Sequence, residues 1–152
     1  MNNLLENKLI EESYLSQSEL DEIKELMDLK DYNELTFEEI LVKENYLKEN
    51  ELIEILHLIY HIPIINLEDF KINYKLLKIF SEEFLRKNII IPLRIDDNNI
   101  EIAMTDPTEI VLIDDIEKMT GLKVKLFLST SKKILKVINQ LYDKNYDYKE
   151  KI

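Results

Sequence analysis

The first half of the chain contains an internal repeat, and this feature constrains the fold more than any other. Residues 9–23 read LIEESYLSQSELDEI and residues 41–55 read LVKENYLKENELIEI, at an offset of 32 residues. Two copies are too few for a solenoid, which needs three or more repeats to bury a continuous core. Each copy breaks around Tyr-Leu into a short helix and a longer one. The repeat therefore predicts a duplicated helix pair, forming a four-helix lobe over residues 1–61.

Helix-start signals support this division of the first half. Ser16 with Glu19, and Thr36 with Glu39, have the capping-box spacing and predict the starts of the second and third helices. A fourth helix is predicted over about residues 48–60, ending before Pro63. The apolar residues expected to be buried on these helices recur at helical spacing: Leu20, Ile23, Met27, Ile40, Leu41, Leu52, Ile55, Leu56 and Ile59.

Two residue pairs in this lobe are candidates for ligand chemistry. Tyr14 and Tyr46 occupy equivalent places in the two copies. They could be aromatic platforms for a ligand that lies across both copies, but we favour rings that pack over their own helix junctions. His57 and His61 have the i, i+4 spacing of one part of a zinc site, and no third ligand follows from the pattern. We therefore expect no metal site.

The second half predicts a small α/β lobe over residues 62–142. The segment IPIINL at 62–67 is short and β-branched, which is typical of a strand or an extended connector. Asn73 and Ser81 can each cap a short helix. With the helical lobe before it, this lobe gives an α+β fold class.

The remainder of this lobe is predicted to have the order β-β-α-β-α. Apolar runs at 89–95 and 100–104 flank the turn formers DDNN and predict a hairpin. Residues 123–128 alternate as a half-buried strand, and Ser131 can cap a last helix. The apolar residues expected to be buried on the last helix are Ile134, Ile138 and Leu141.

Three residues mark the start of the middle helix of this lobe. Asp106 is placed as its N-cap, Pro107 as its first residue, and Glu109 at the third helical position. Gly121 is placed as its left-handed C-cap. Its buried face is predicted to contain Ile113, Ile116 and Met119.

Composition excludes several classes of site. The chain has no cysteine, so disulfides, thiolate metal sites and cysteine nucleophiles are excluded. Its single glycine, Gly121, cannot build a Walker A loop or a dinucleotide fingerprint. No Ser-His-Asp set or metal set converges by spacing, and a solvated helix face explains the many carboxylates more simply than a general acid/base pair. We expect no catalytic residue and no cofactor.

The acidic residues are concentrated in the first half. Residues 1–70 have 18 Asp and Glu against 5 lysines, a net charge of −13, while residues 71–152 have a net charge of +2. Such a surface repels nucleic acid and anionic lipid and fits a basic protein surface. No apolar run is long enough to span a bilayer, so we expect a cytoplasmic protein without direct membrane insertion. The charged segment 143–152 is predicted to be a tail or linker.

The segments of the second half, taken together, resemble a known family. They are Ile-Pro-Leu, a polar turn, Ile-Ala-Met-Thr-Asp-Pro-Thr, a helix ending Thr-Gly-Leu-Lys-Val, and a terminal helix ending Gln-Leu-Tyr. This order is similar to the N-terminal, or MshEN, domain of type II secretion and type IV pilus assembly ATPases. The resemblance covers residues 4–142. It implies a non-catalytic regulatory and docking domain that binds a protein partner of a pilus or secretion assembly platform.

Some members of this family bind cyclic di-GMP across two copies of a motif resembling Arg-Leu-Gly-x2-Leu-Val-x2-Gly-x-[Leu/Ile]-x4-Leu. In this chain both copies keep the apolar frame, and the residues at the Arg, first Gly and second Gly positions differ. They are Leu4, Glu6 and Ser13 in the first copy, and Thr36, Glu38 and Asn45 in the second. Because the guanidinium groups are replaced and carboxylates are added, the resemblance implies weak or lost cyclic di-GMP binding.

Three functions therefore remain open from sequence. The leading one is the docking domain, either as part of a motor or standing alone as a small homologue. The alternative is a cyclic di-GMP receptor with a divergent motif, and a nucleotide titration separates these two. An enzyme in its own right is the third and the least supported.

Overall fold

The computed structural model describes residues 3–143, and the chain forms two compact units that divide between His61 and Ile62. In the described residues, the first unit consists of helices α1 (Asn3–Glu11), α2 (Gln17–Leu26), α3 (Phe37–Lys43) and α4 (Glu49–Tyr60). The second unit begins with two 3₁₀ helices, Leu67–Asp69 and Tyr74–Ile79. It continues with α5 (Glu82–Asn88), β1 (Ile90–Asp96), β2 (Asn99–Met104), α6 (Ile110–Thr120), β3 (Lys123–Leu128) and α7 (Ser131–Leu141). The predicted α+β class and β-β-α-β-α order are confirmed.

Side-chain caps set the helix starts in the first unit. The Ser16 hydroxyl accepts from the Glu19 backbone N–H at 3.1 Å, and the Glu19 carboxylate accepts from the Ser16 N–H at 3.0 Å. Thr36 and Glu39 make the same reciprocal pair, at 3.1 and 3.2 Å. These hydrogen bonds confirm both predicted capping boxes. The sequence could predict them because a capping box involves only two residues three apart in the chain.

The fourth helix ends for a different reason from the one the sequence indicated. It stops at Tyr60, and His61 follows in the left-handed conformation with φ 57°, two residues before Pro63. The apolar residues predicted to be buried in the first unit are buried, except Met27 and Ile59, which are half-buried. The first unit closes around these buried residues: Leu5, Leu9, Leu15, Leu20, Ile23, Phe37, Ile40, Leu41, Leu47, Leu52, Ile53, Ile55 and Leu56.

The second unit is built on a three-stranded sheet in the order β1-β2-β3. The hairpin strands β1 and β2 are antiparallel, and β3 joins β2 in parallel after the crossover through α6. The segment IPIINL is an extended connector that makes one parallel bridge, between Ile64 and Leu128. The helix predicted after Asn73 is a 3₁₀ helix, and Ile89 caps α5 with φ 50° instead of opening β1.

The predicted start of the middle helix is wrong. Asp106 Oδ1 accepts from both the backbone N–H and the hydroxyl of Thr108, so its carboxylate closes a local turn. The helix therefore begins at Ile110, and Glu109 stands at the N-cap position without a side-chain cap bond. The last helix is shifted by one residue, because the hydroxyl of Thr130 caps it, at 3.3 Å from the Lys133 N–H, instead of Ser131.

The buried face of α6 also differs from the prediction. Leu112 and Ile116, spaced i, i+4, are buried, and Ile113 is half-buried. Met119 was expected in the core, but it is 51% exposed. The helix is therefore rotated so that Leu112 and Ile116 face the core, which leaves Ile110, Val111 and Met119 at the surface.

Gly121 ends α6 as predicted, with φ 72° and its N–H donating to the Glu117 carbonyl at 2.8 Å. Apart from its chain neighbours and the backbone of α6, no atom of the described residues lies within 4 Å of the place that a Cβ would occupy. We therefore expect Gly121→Ala to lower the free energy of unfolding through backbone strain alone, by about 1–2 kcal/mol. Urea unfolding measures this, with Gly121→Asn as the control because asparagine tolerates the left-handed region better. Equal stability of the alanine variant and the wild type would contradict the expectation.

Candidate functional site

The two copies of the motif adopt the same local structure. After α1, the N–H of Tyr14 and the N–H of Leu15 both donate to the Leu9 carbonyl, at 2.9 and 3.2 Å. After α3, Tyr46 and Leu47 donate to the Leu41 carbonyl at 2.9 and 3.3 Å. The sequence repeat is therefore also a structural repeat, with equivalent turns leading into α2 and α4.

The position of the second motif glycine keeps a glycine-like backbone in both copies. Ser13 has φ 61° and Asn45 has φ 62°, both in the left-handed region. Only glycine adopts this region without steric cost, and asparagine tolerates it better than most other residues. Both copies of the repeat therefore place a left-handed residue at the position that the family resemblance assigns to the second glycine. The signal that could have revealed it was the motif itself, since a glycine position often marks positive φ.

The two arginine positions of the motif have different surroundings. Leu4 lies in the first turn of α1 and is 61% exposed. Thr36 is the N-cap of α3, and its hydroxyl is engaged by the Glu39 N–H. Neither residue offers a cation to a phosphate. The two equivalent positions therefore hold an exposed leucine in one copy and a helix cap in the other.

The family resemblance assigns Glu6 and Glu38 to the first glycine of the two motif copies. Glu6 is buried, with 7% exposure, and its Oε2 lies 3.5 Å from Lys24 Nζ on α2. Its Oε1 is buried without a hydrogen-bond partner among the described residues. Glu38 is half-buried in the first turn of α3, where the helix dipole favours an acid. Close approach of a phosphate to either position meets a negative charge instead of a bare backbone.

The two equivalent tyrosines are not in equivalent surroundings. Tyr14 is exposed, whereas Tyr46 is half-buried. Burial raises the pKa of Tyr46 above the ordinary value of 10.0. Three nearby carboxylates raise it further, those of Glu22 and Glu19 on α2 and that of Glu44, with a hydrogen bond to Glu22 as the smallest cause. Tyr46 therefore interacts with the first copy as well as its own, which neither interpretation from sequence included.

The raised pKa of Tyr46 predicts that the stability of the chain falls at alkaline pH. Because the folded pKa lies above the unfolded value, the stabilising contribution of Tyr46 is complete below pH 10 and is lost as the pH rises through the folded pKa. We expect the urea midpoint of the wild type to fall more steeply than that of Tyr46→Phe between about pH 9 and pH 11. Tyr14→Phe is the matched control. Parallel curves for the wild type and Tyr46→Phe would contradict the expectation.

Residues suited to metal binding do not converge. Within residues 3–143 no group of three or more His, Asp or Glu side chains could hold a metal ion. His57 lies in the last turn of α4 and His61 is its left-handed C-cap. In the same range, no helix combines the length and apolarity needed to cross a membrane.

Comparison with known proteins identifies the family. The family profile of the MshEN domain matches residues 60–145, more than half of the chain. The chain belongs to the MshEN domain family. The type IV pilus assembly ATPase PilB of Myxococcus xanthus (strain DK1622) is 28% identical over 83 residues. That match covers 55% of this chain and 15% of PilB, so the chain spans a small part of its relative.

Solved structures extend the family resemblance to both units. A structure of MshE with cdg (cyclic di-GMP) matches with a TM-score of 0.75 at 17% identity, covering 93% of this chain and 100% of that one. The N-terminal domain of XpsE matches with a TM-score of 0.70 at 15% identity, covering 89% and 91%. The resemblance to N-terminal domains of these ATPases is confirmed, and at these identities the structural matches establish the fold.

Proposed function

We propose that this MshEN domain is a non-catalytic regulatory and docking domain of a type IV pilus or type II secretion assembly ATPase, or of a stand-alone relative. In this proposal it works in the cytoplasm and binds a protein partner of the assembly machinery. One observation carries the proposal. The chain has the fold of the MshE match, and the residues that the family resemblance assigns to the Arg and first-Gly positions are Leu4, Thr36, Glu6 and Glu38.

The preserved frame supports a structural role for the repeat. The apolar residues at the leucine positions of the motif are all buried: Leu5, Leu9, Leu15 and Leu20 in the first copy, and Phe37, Leu41, Leu47 and Leu52 in the second. Truncating any of these residues would leave a cavity, so packing of the unit is sufficient to explain them. The polar motif positions lack that protection, and they are the ones that differ.

Charge supports a basic protein as the partner. Residues 1–61 have 16 Asp and Glu against 5 lysines, so this unit has a net charge of −11, while residues 62–152 have 15 of each sign. A surface of one sign steers an oppositely charged partner and raises the association rate. It also repels a dinucleotide that carries two phosphates.

A second candidate is a cyclic di-GMP receptor with a divergent motif. It is favoured by the match to MshE with cdg and by the left-handed backbone that Ser13 and Asn45 preserve. Backbone groups at such turns can still contact a ligand without side-chain help. Against it stand the missing guanidinium groups, since charge-assisted pairs to phosphate are among the stronger hydrogen bonds.

Site-specific photocrosslinking in cells tests the docking proposal. A photoreactive phenylalanine analogue replaces the exposed Tyr14, and crosslinked proteins are identified by mass spectrometry. We expect a crosslink to a component of the pilus or secretion assembly machinery that carries a basic surface. Crosslinks confined to unrelated abundant proteins would contradict the proposal.

Charge reversal provides the matched control. Glu25→Lys with Glu54→Lys changes two exposed residues of the first unit and should weaken the crosslink and slow association. Glu83→Lys with Asp96→Lys makes the same change of charge on exposed residues of the second unit and should leave the crosslink intact. An equal loss of crosslinking with both pairs of substitutions would mean that the net charge of the chain, and not the acidic surface of the first unit, determines docking.

A further inference from the structure

Glu6 of α1 is a buried acid with a single, long ion pair. The residue is 7% exposed, and its Oε2 lies 3.5 Å from Lys24 Nζ on α2. Its Oε1 is buried and accepts no hydrogen bond from the described residues. An ionised carboxylate has two acceptor oxygens, and burial removes the water that would otherwise satisfy both. The carboxylate of Glu6 therefore has an unused acceptor that its lysine does not satisfy.

A second buried carboxylate of the chain has an arginine as its partner. Glu101 on β2 is 2% exposed, and its Oε1 accepts from Arg94 Nε at 2.9 Å. Its Oε2, like Oε1 of Glu6, has no partner in the described residues, so the two sites differ in the cation and in the length of the ion pair. A guanidinium presents several N–H groups in a planar fork that matches a carboxylate, whereas an ammonium is a point charge. Glu6 therefore holds the less suitable of the two cations.

Lys24 is the part of this ion pair that reaches solvent. Its side chain is 43% exposed, against 9% for that of Glu6. Two exposed acids lie close to it in the chain, Asp21 three residues earlier and Asp28 four residues later. The ammonium of Lys24 can therefore leave Glu6 for an exposed carboxylate on or beside its own helix. A competing cation can take its place without leaving the lysine unpaired.

We propose that Glu6 is the anchor for an arginine side chain of the docking partner. The incoming guanidinium takes the place of Lys24 and donates one N–H to Oε2. It donates a second N–H to Oε1, the oxygen that has no partner among the described residues. The contact is non-covalent, and the ammonium of Lys24 moves to Asp21 or Asp28. Such a buried, bidentate pair is strong and selects for the geometry of arginine.

This anchor gives the acidic first unit a specific contact. Exposed carboxylates attract any basic protein and raise its association rate, but a single exposed ion pair contributes little affinity. A fully desolvated arginine at one position is the kind of contact that dominates the affinity of an interface. The inference rests on the proposed function, because it names the side chain by which a basic partner is recognised.

Chemical rescue of a lysine variant tests the anchor in the purified chain. Lys24→Ala leaves the carboxylate of Glu6 buried without a cation, so the thermal midpoint should fall by about 5 °C or more. Nα-acetylarginine amide at about 50 mM should then raise the midpoint by about 2–4 °C above its value in sodium chloride of the same concentration, because the probe binds the folded chain. The corresponding lysine amide should raise it less. If the variant is unfolded without the probe, refolding on its addition, followed by circular dichroism, is the equivalent result.

Two variants control for general effects of the probe. Lys24→Ala combined with Glu6→Gln has no buried charge at this site, and Lys8→Ala breaks the more exposed ion pair of Lys8 with Glu12, which are 3.2 Å apart. The arginine probe should raise neither midpoint above its value in sodium chloride. Three results would overturn the arginine anchor: a Lys24→Ala variant that the probe does not stabilise, an equal rise in the double variant, or equal rescue by the two amides.

The crosslinking experiment separates this inference from the docking proposal. With the photoreactive residue in place of Tyr14, Glu6→Gln should lower the yield of the partner crosslink by about tenfold or more. Glu12→Gln removes the same charge from an exposed position next to α1 and should leave the crosslink close to that of the wild type. An unchanged crosslink in Glu6→Gln would overturn the anchor and leave the docking role standing. If the wild type gives no such crosslink, the docking proposal fails, and the rescue experiment alone decides whether Glu6 holds a guanidinium.

Discussion

Replacing Leu9 or Leu41 by alanine is expected to lower the free energy of unfolding of the first unit by about 2–5 kcal/mol. Each side chain is fully buried, with 0% exposure, and the two occupy the same position of the motif. Alanine removes packed carbon atoms and leaves a cavity that the neighbouring helices refill only in part. The backbone carbonyls that close the two turns are unchanged by the substitution. Urea unfolding followed by circular dichroism measures the loss.

Leu4→Ala is the control for this pair. Leu4 lies on the same helix as Leu9 but is 61% exposed, so its truncation should change stability by less than about 0.5 kcal/mol. Because Leu9 and Leu41 are equivalent in the repeat, their losses should also be similar. A loss at Leu9 or Leu41 no larger than that at Leu4 would show that the repeat is not the packing frame of this unit.

Restoring the family motif is expected to create cyclic di-GMP binding. The variant contains Leu4→Arg and Thr36→Arg, which supply two guanidinium groups, and Glu6→Gly and Glu38→Gly, which remove two carboxylates. A hydrogen bond to a charged group contributes about 1.5–3 kcal/mol, so two arginines should tighten binding by at least about 100-fold. Isothermal calorimetry of the variant and the wild type measures the difference.

The matched control replaces the same two positions by lysine, Leu4→Lys and Thr36→Lys, with both glycine changes kept. Lysine supplies the charge without the planar bidentate fork, so the control should bind more weakly than the arginine variant. Losing the Thr36 cap costs about 1 kcal/mol and each helix glycine about 0.5–1 kcal/mol, so folding is checked first by circular dichroism. A folded arginine variant without binding would mean that these positions do not form the ligand site in this chain.

Local chemistry explains what the sequence could predict. The capping boxes at Ser16 and Thr36, the hairpin turn and the Gly121 cap each depend on residues within a few positions of one another. The duplicated frame was equally accessible, because its buried leucines recur at a fixed offset. These features predicted the helix order and most of the core.

Two kinds of feature could not be predicted from the sequence. One is a side chain with two possible hydrogen-bond partners, and the other is a contact between residues that are far apart in the chain. The carboxylate of Asp106 had two possible uses, and its bonds to Thr108 prevailed over an N-cap, so α6 begins at Ile110. The pKa of Tyr46 is raised by burial and by carboxylates of the first copy, and the ion pair of Glu6 with Lys24 joins α1 to α2. Such tertiary contacts leave no periodic trace in the sequence.

A calorimetric titration of the wild-type chain with cyclic di-GMP distinguishes a docking domain from a nucleotide receptor. The claim is that this MshEN domain keeps the family fold but has lost the nucleotide site, so that its function is protein docking. The account predicts weak binding or none, because the motif positions offer leucine, threonine and carboxylates in place of arginine and glycine. A complex with a dissociation constant of about 1–10 μM or tighter would contradict it and establish the receptor function instead.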